Sequence, residues 1–336
     1  MRRRLRAGTR NRGFLFLREG INLSLQVYNS IDEYAGARRG PCVATIGTFD
    51  GFHLGHQSIF AVLTRKAHLL GLPTAAITFH PHPRVIVTPE DPPLLLTTVE
   101  EKIETLNGRF DGALVFLKFD SHLREMSAEQ FARDVLMNVF GVKALVVGYN
   151  HSFGRDRSGT PDHLRRIGGE EGFELEVVDP VTYKNRAISS SRIRRSITAG
   201  DWAEALAMLG HPYPIRGTVT KGIGEGRKMG WPTINLQWAR RKLLPNEGVY
   251  SCTASVNGDA HRGMMFIGIN MLNPDKKMSV EANLFDFNRD VYNSEVTLYP
   301  EHFVRHNARF GSPEELSRQI ARDKQGILTL LKQIEE

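Results

Sequence analysis

Cysteine is nearly absent: Cys42 and Cys252 are the only two in 336 residues. That excludes a disulfide scaffold and a Cys-based metal cluster, and it fits a reducing cytoplasm better than an oxidising compartment. Long apolar runs are also missing. The longest candidates, such as ALVVGY at 144–149, are strand-sized, whereas a bilayer crossing needs roughly 20 apolar residues, so no membrane partner is expected. Acid is missing from one region: the first 18 residues hold seven Arg and no Asp or Glu, which leaves 37 basic and 37 acidic side chains in the other 318. The formal net charge of +7 therefore belongs to an arm. The nucleic-acid partner that such a charge would suggest loses its support, because the body is neutral. Residues 1–22 are read as a basic, disordered extension. It is Arg-rich like an organellar presequence but poor in Ser, and its FLFL patch is too short for a signal-peptide core.

The composition, 41% hydrophobic and 24% charged, is that of a soluble globular protein. The length exceeds what one core of about 250–300 residues supports, so two domains are expected. In the first half, strand-like runs (CVATIGTF, TAAITF, GALVFLKF, ALVVGY, ELEVVDPV) alternate with helix-like segments. This is the pattern of a parallel sheet with helices on its faces. Ile59, Val62, Leu63, Leu69 and Leu70 follow helical spacing. In SAEQFARDVLMNVFG, Ser127 is an N-cap, Gln130 completes a capping box and Gly141 is the stop. Ligands of such a sheet sit at the carboxyl ends of its strands. From about Pro214 the texture changes to short alternating strands (RGTVTKG, GVYSCTASV, HRGMMFIGI, SVEANLFDF, EVTLYP), suited to a small antiparallel barrel closed by a helix from about Ser312. The seam near Leu209–Pro214 gives domains at 23–210 and 211–336.

Directly after the first strong strand the chain reads GTFDGFHLGHQ. Gly47 and Gly51 permit a tight turn, and the helix that follows offers its N-terminal N–H groups and dipole to phosphate. His53 and His56 flank Gly55 there, placed to stabilise charge growing in a transition state. A metal-ligating pair and a satisfied surface pair are the alternatives, the former lacking a third ligand at similar spacing. ISSSRIR at 188–194 adds three hydroxyls and two guanidinium groups ahead of a helix. That chemistry suits a triphosphate, or else an N-cap with a solvated basic face.

The second half carries RGTVTKGIGEGRKMGWPTINL at 216–236. Gly222, Gly224 and Gly226 alternate so that backbone N–H groups can converge on phosphate. Thr233 and Asn235 fall on one face of an extended segment. Their oxygens are hard donors suited to Mg²⁺ shared with a nucleotide.

Together GTFDGFHLGH, ISSSRIR, TFHPHP (78–83), LKFD (117–120), SAEQFARDVL and VVGYNHSFGRDRSG (146–159) resemble the adenylyltransferase module of the bifunctional bacterial riboflavin kinase/FAD synthetase family. The Gly-rich loop with WPTIN, GVY (248–250) and VEANLFDF (280–287) resemble its riboflavin kinase module. The resemblance runs from about residue 40 to 325 in the family's order. It implies an α/β nucleotidyltransferase domain with a Rossmann-like parallel sheet, followed by an antiparallel riboflavin kinase β-barrel with a C-terminal helix. It implies two reactions that use ATP and Mg²⁺: riboflavin to FMN in the barrel, and FMN to FAD with release of pyrophosphate in the first domain. Small flavins and nucleotides are then the partners.

By that resemblance His53 and His56 hold the developing charge. Gly47, Phe49, Asp50, Gly51, Gly55, Asn150, Ser190, Ser191 and Arg194 bind ATP in the first domain, and Gly222, Gly224 and Gly226 bind it in the second. Glu281 is the base for the ribityl hydroxyl, with an exposed strand carboxylate as the plain alternative. Phe79, Pro81 and Pro83 line the flavin side or form a rigid strand-end turn. Arg305, with Phe310, belongs to a lid over flavin or to a solvated helix approach. The chain departs from the family at Asn150 (usually Asp), at His151 (usually Phe), and in FIGINMLNP (266–274) and VRHNARF (304–310). Two other readings remain at this point: an adenylyltransferase with a flavin-sensing barrel, and a nucleic-acid-binding protein. The sequence carries no signal for oligomeric state.

Overall fold

The computed structural model describes residues 23–37, 40–155, 158–269 and 277–335. The basic arm, and residues 270–274 of FIGINMLNP, lie outside the described residues. The chain forms two units, Leu23–Arg216 with Trp238–Asn246, and Gly217–Gln237 with Glu247–Glu336. Residues 211–216 and the nine from Trp238 to Asn246, which the sequence reading assigns to the second domain, thus group with the first.

The first unit is built on six strands, β1 (Leu25–Tyr28), β2 (Cys42–Ile46), β3 (Thr74–His80), β4 (Gly112–Lys118), β5 (Val142–Gly148) and β6 (Glu174–Val178), in the order β1-β4-β3-β2-β5-β6. Every pairing is parallel. Strands β2 to β5 are apolar almost without alternation because helices cover both faces. One face buries Tyr34, Ile77, Val115, Phe131 and Leu145, and the other Val43, Phe60, Leu63, Leu114 and Val146. ELEVV forms an edge strand and is only half-buried. The expected helix spans Leu54–Leu70 and buries Phe60, Leu63 and Ala67. Leu69 and Leu70, which follow the helical spacing, lie in its last turn and are 76% and 40% exposed. Ser127 and Gln130 form the expected capping box. The helix then widens to π winding over Phe131–Met137, with the Asn138 N–H donating to Arg133 O. A two-strand hairpin, β7 (Thr182–Tyr183) with β8 (Arg186–Ala187), leads into the helix Ser190–Ala199.

The second unit is a closed barrel of β9 (Ile215–Thr220), β10 (Ile234–Trp238), β11 (Gly248–Val256), β12 (Asp259–Ile269), β13 (Met278–Leu284) and β14 (Glu295–Arg305), ordered β10-β13-β12-β11-β14-β9. Asn257 and Gly258, with φ of 53° and 90°, make the two-residue turn between β11 and β12 whose twist matches antiparallel strands. The helix Pro313–Glu335 covers the barrel, burying Ile327 against Met264 and Phe285.

Candidate functional site

In the first unit the motif residues gather at the carboxyl edge of the sheet. β2 lies between β3 and β5, so the turn after β2, the TFHPHP turn after β3 and Asn150 after β5 end side by side. This is the point where strand order reverses, the usual ligand crevice of such sheets. The turn Gly47–His53 is tightly wound: Phe49 and Phe52 hold φ of 45° and 33°, and Gly51 φ of 80°. A methyl group on Gly51 would also strike Leu96 Cδ1 at 2.7 Å. Non-glycine residues in that region cost energy and persist only where the surroundings hold them. Here Asp50 does the holding. Its buried carboxylate accepts from the N–H groups of Leu96 and Thr97 at 3.2 and 2.9 Å and from the Thr97 hydroxyl at 3.3 Å. The Gly51 N–H donates to Thr97 Oγ1 at 3.1 Å.

His53 is the N-cap of the helix Leu54–Leu70, its Nδ1 accepting from the His56 N–H at 3.4 Å. Its proton therefore sits on Nε2. The His53 and His56 rings stack with centroids 3.7 Å apart, and Gly55 packs against the His53 ring, a Cβ there lying 3.1 Å from Cε1. His53 is 5% exposed, which removes the surface-pair alternative, and His56 Nδ1 is buried with no hydrogen-bond partner among the described residues. Burial pushes the His53 pKa down to about 4, against the pull of Asp50, and burial plus the neighbouring His53 and Lys102 hold His56 well below its ordinary value. Both rings are neutral near pH 7, each with one N–H to donate.

Arg194 pairs with Asp50 and donates from Nε to Leu94 O at 2.7 Å. Ser190 donates to Asp50 O at 2.9 Å, and Ser191 is exposed. The first guanidinium of ISSSRIR corrects the sequence reading. Arg192 is buried and donates to Tyr183 O, Arg186 O and Glu204 at 2.9, 2.7 and 3.0 Å. It fastens the β7–β8 hairpin and is not available to a triphosphate. Phe49 packs edge-on against His56 and Phe60, so it can offer a nucleotide only its backbone. Phe79 is half-buried and meets Phe119 edge-on. Pro81 and Pro83 flank His82, which caps the short helix Pro83–Val87.

In the barrel, a cavity of about 420 Å³ is lined by Gly224, Gly226, Thr233, Asn235, Glu281 and Arg305 among others. The pairing of β10 with β13 sets Asn235 opposite Glu281. Gly222 lies against Asn235, where a Cβ would fall 2.3 Å from Nδ2. The Thr233 hydroxyl and the Asn235 amide make no hydrogen bond among the described residues, so two hard donors stand open beside the Gly-rich loop. The Ser279 hydroxyl donates to Glu281 Oε1 at 3.1 Å. The walls are apolar: Met229, Trp231, Val249, Met264, Phe266 and Phe310. Arg305 is held by Asp323 at 2.8–3.1 Å and lies 5.7 Å over the Phe310 ring.

The sequence reading missed Lys102, Asn283 and Asp323. Asn283 is buried and donates to Pro232 O at 2.7 Å, fixing the approach to Thr233. It sits two residues beyond Glu281 on the same face of β13, a period that could have pointed to it. Lys102 and Asp323 sit in helices where a lone charge normally reads as solvated.

The FAD synthetase family matches residues 36–192 and the riboflavin kinase family residues 209–331. The bifunctional riboflavin kinase/FMN adenylyltransferase of Pseudomonas fluorescens is 35% identical over 300 residues, 89% of this chain and 96% of that protein. Its namesake from Listeria monocytogenes is 33% identical, covering 88% and 94%. A crystal structure from Streptococcus pneumoniae, described as a macrolide-efflux protein, superposes with a TM-score of 0.79 at 30% identity, covering 90% of this chain and 97% of that one. No helix among the described residues of this chain is long and apolar enough to cross a membrane. With two family matches in sequence and full-length relatives of the same arrangement, the chain belongs to the bifunctional riboflavin kinase/FMN adenylyltransferase family.

Proposed function

We propose that this bifunctional enzyme divides its two reactions between the two units, with FMN formed in the barrel cavity and FAD formed at the carboxyl edge of the parallel sheet. What carries this division is convergence: each motif set, scattered along its half of the chain, gathers at one place within one unit.

In the barrel, the ribityl 5′-hydroxyl of riboflavin attacks the γ-phosphorus of ATP, ADP leaves, and Glu281 takes the hydroxyl proton. Orientation is most of what such a base must supply. The Gly-rich loop cradles the phosphates and the apolar walls take the ring system. Thr233 and Asn235 would hold Mg²⁺, which neutralises phosphate charge during transfer. Their open oxygens suit that ion.

In the first unit, an oxygen of the FMN phosphate attacks the α-phosphorus of ATP and the bond to the β-phosphate oxygen breaks, releasing pyrophosphate. His53 and His56 donate their N–H groups to the oxygens where charge builds. Arg194 meets the outgoing phosphates while Asp50 fixes its position. Ser190, Ser191 and Asn150 complete the nucleotide contacts, with Phe79, Pro81 and Pro83 toward the flavin. The two cysteines are free and buried, in keeping with the cytoplasm as the place of both reactions.

The test incubates the enzyme with ATP, Mg²⁺ and either riboflavin or FMN, and resolves the flavins chromatographically. Glu281→Gln should lower FMN formation by at least about 10²-fold and spare FAD formation from FMN. His56→Ala should do the reverse by a similar factor. Loss of both reactions from one substitution in a folded protein would refute the division.

A further inference from the structure

The turn that carries the histidine pair is held from one side by a single short stretch of chain. Thr97 binds its middle through Asp50 and the Gly51 N–H. One helical turn later, Lys102 binds its start. The Lys102 ammonium donates to Thr48 O at 2.6 Å and to Thr78 Oγ1 at 3.1 Å, and Thr78 in turn donates to Thr48 O at 3.2 Å. Lys102 is 7% exposed, and no carboxylate lies within 4 Å of it among the described residues. A buried cation without a close counter-charge is costly and is rarely kept for packing alone.

The charges that face it are few. Asp50, from the turn, is the acid nearest in effect, and its carboxylate is already engaged by Arg194. Glu101, the neighbour in the same helix, turns away to Lys242. His56 from the long helix and His82 from the turn after β3 feel Lys102 as a like charge, and both are held neutral. Two cations, Lys102 and Arg194, therefore stand against one anion. The excess positive charge is fixed in place before any phosphate arrives, and a nucleotide's polyphosphate is the group that would balance it.

We propose that Lys102 is a positioning residue for adenylyl transfer, one that pins the Thr48 end of the histidine turn and supplies the unbalanced positive charge that this turn presents to ATP. This rests on the assignment of that turn to the FMN adenylyltransferase site. Burial also brings the Lys102 pKa down to about 8, so its charge is lost as pH rises through that range.

The experiment measures kcat/KM for ATP in FMN adenylylation against pH, with riboflavin phosphorylation by the same chain as the internal control. In the wild type, adenylylation should fall as pH rises through about 8, while Lys102→Met should lower it at least tenfold at pH 7, remove that alkaline limb, and leave riboflavin phosphorylation within twofold. Lys102→Arg, which keeps the charge, should recover part of the loss. In histidine-labelled protein, the His56 resonance should titrate at higher pH in Lys102→Met, since a like charge has gone. That shift would verify the charge facing His56, whereas the alkaline limb is the readout that a lysine serving only to hold the fold would not carry. A Lys102→Met enzyme within threefold of wild type, or one that keeps the alkaline limb, overturns the proposal. If the variant does not fold, a wild-type profile without the limb overturns it and one with the limb supports it. Full adenylylation by His56→Ala would instead overturn the site assignment itself, whereas loss there beside retention in Lys102→Met removes only the role of Lys102.

Discussion

In the first unit the polar groups of the site are bound to one another before a substrate arrives. Asp50 holds Arg194, Thr97 and Leu96, Ser190 donates to Asp50 O, and the two imidazoles stack. In the barrel, Thr233 and Asn235 leave their side chains unengaged beside a cavity of about 420 Å³ with apolar walls. Under the proposed division, the difference matches what each reaction has to recognise. Adenylyl transfer joins two phosphorylated molecules, so a fixed, positively biased and desolvated edge suits it. Riboflavin arrives uncharged, so the barrel must first bind it by shape and apolar area, and its polar groups wait for the nucleotide. Rigidity of charge governs the first site and accommodation of a ring governs the second.

The contrast breaks most sharply at the buried ion pair beneath the first site. Lys242 and Glu101 meet at 2.8 Å with both side chains fully buried. Glu101 also accepts from the N–H groups of Thr98 and Arg216 at 2.8 and 2.9 Å. Removing one partner strands the other, so Glu101→Gln should cost the first unit about 3–5 kcal/mol, read as a lower unfolding midpoint in denaturant. A loss below about 1 kcal/mol would mean that the pair is not what holds Trp238–Asn246 in place.

Acid should separate the units next. His53, His82, His151 and His211 of the first unit are each pushed down to about 4 by burial, and His56 is also lowered. The unfolded chain takes up these protons near pH 6.5, before the folded unit does. The stability these groups contribute is therefore complete above pH 6.5 and lost as pH falls toward about 4. Thermal unfolding followed across that window should show the falling transition to be that of the first unit.

A smaller effect sharpens the second site. In Gly222→Ala the new methyl group would displace the Asn235 amide, and riboflavin phosphorylation should fall about tenfold with adenylylation unchanged. An unchanged phosphorylation rate would remove Asn235 from the reaction. The smallest expected effect is that of deleting residues 1–18. Both rates should stay within about twofold, because the arm's charge precedes every motif and the sites need only locally placed charge.

Much of this was legible in the sequence. Continuous apolar runs named β2 to β5, turn residues marked the barrel, and the pair His53/His56 after a Gly-rich turn pointed to the place proposed as the first site. What failed to show were residues whose role depends on distant partners. Lys102 looks like any solvated lysine until Thr48 and Thr78 are brought over it. Arg192 looks like a phosphate ligand until the hairpin carbonyls claim it. Leu69 and Leu70 keep the helical period yet lie exposed in the last turn. The affiliation of Lys242 with Glu101, 141 positions away in the chain, has no local signature.

That last affiliation changes how the protein can be taken apart. Because Trp238–Asn246 returns to the first unit after β10, neither unit is one uninterrupted stretch of sequence, and no single cut releases both intact. A chain ending at Gly210 would keep every residue assigned here to adenylyl transfer yet leave Glu101 buried without Lys242. A fragment made to carry adenylyl transfer alone would therefore need a replacement for Lys242, the lysine that lies beyond β10 in the chain.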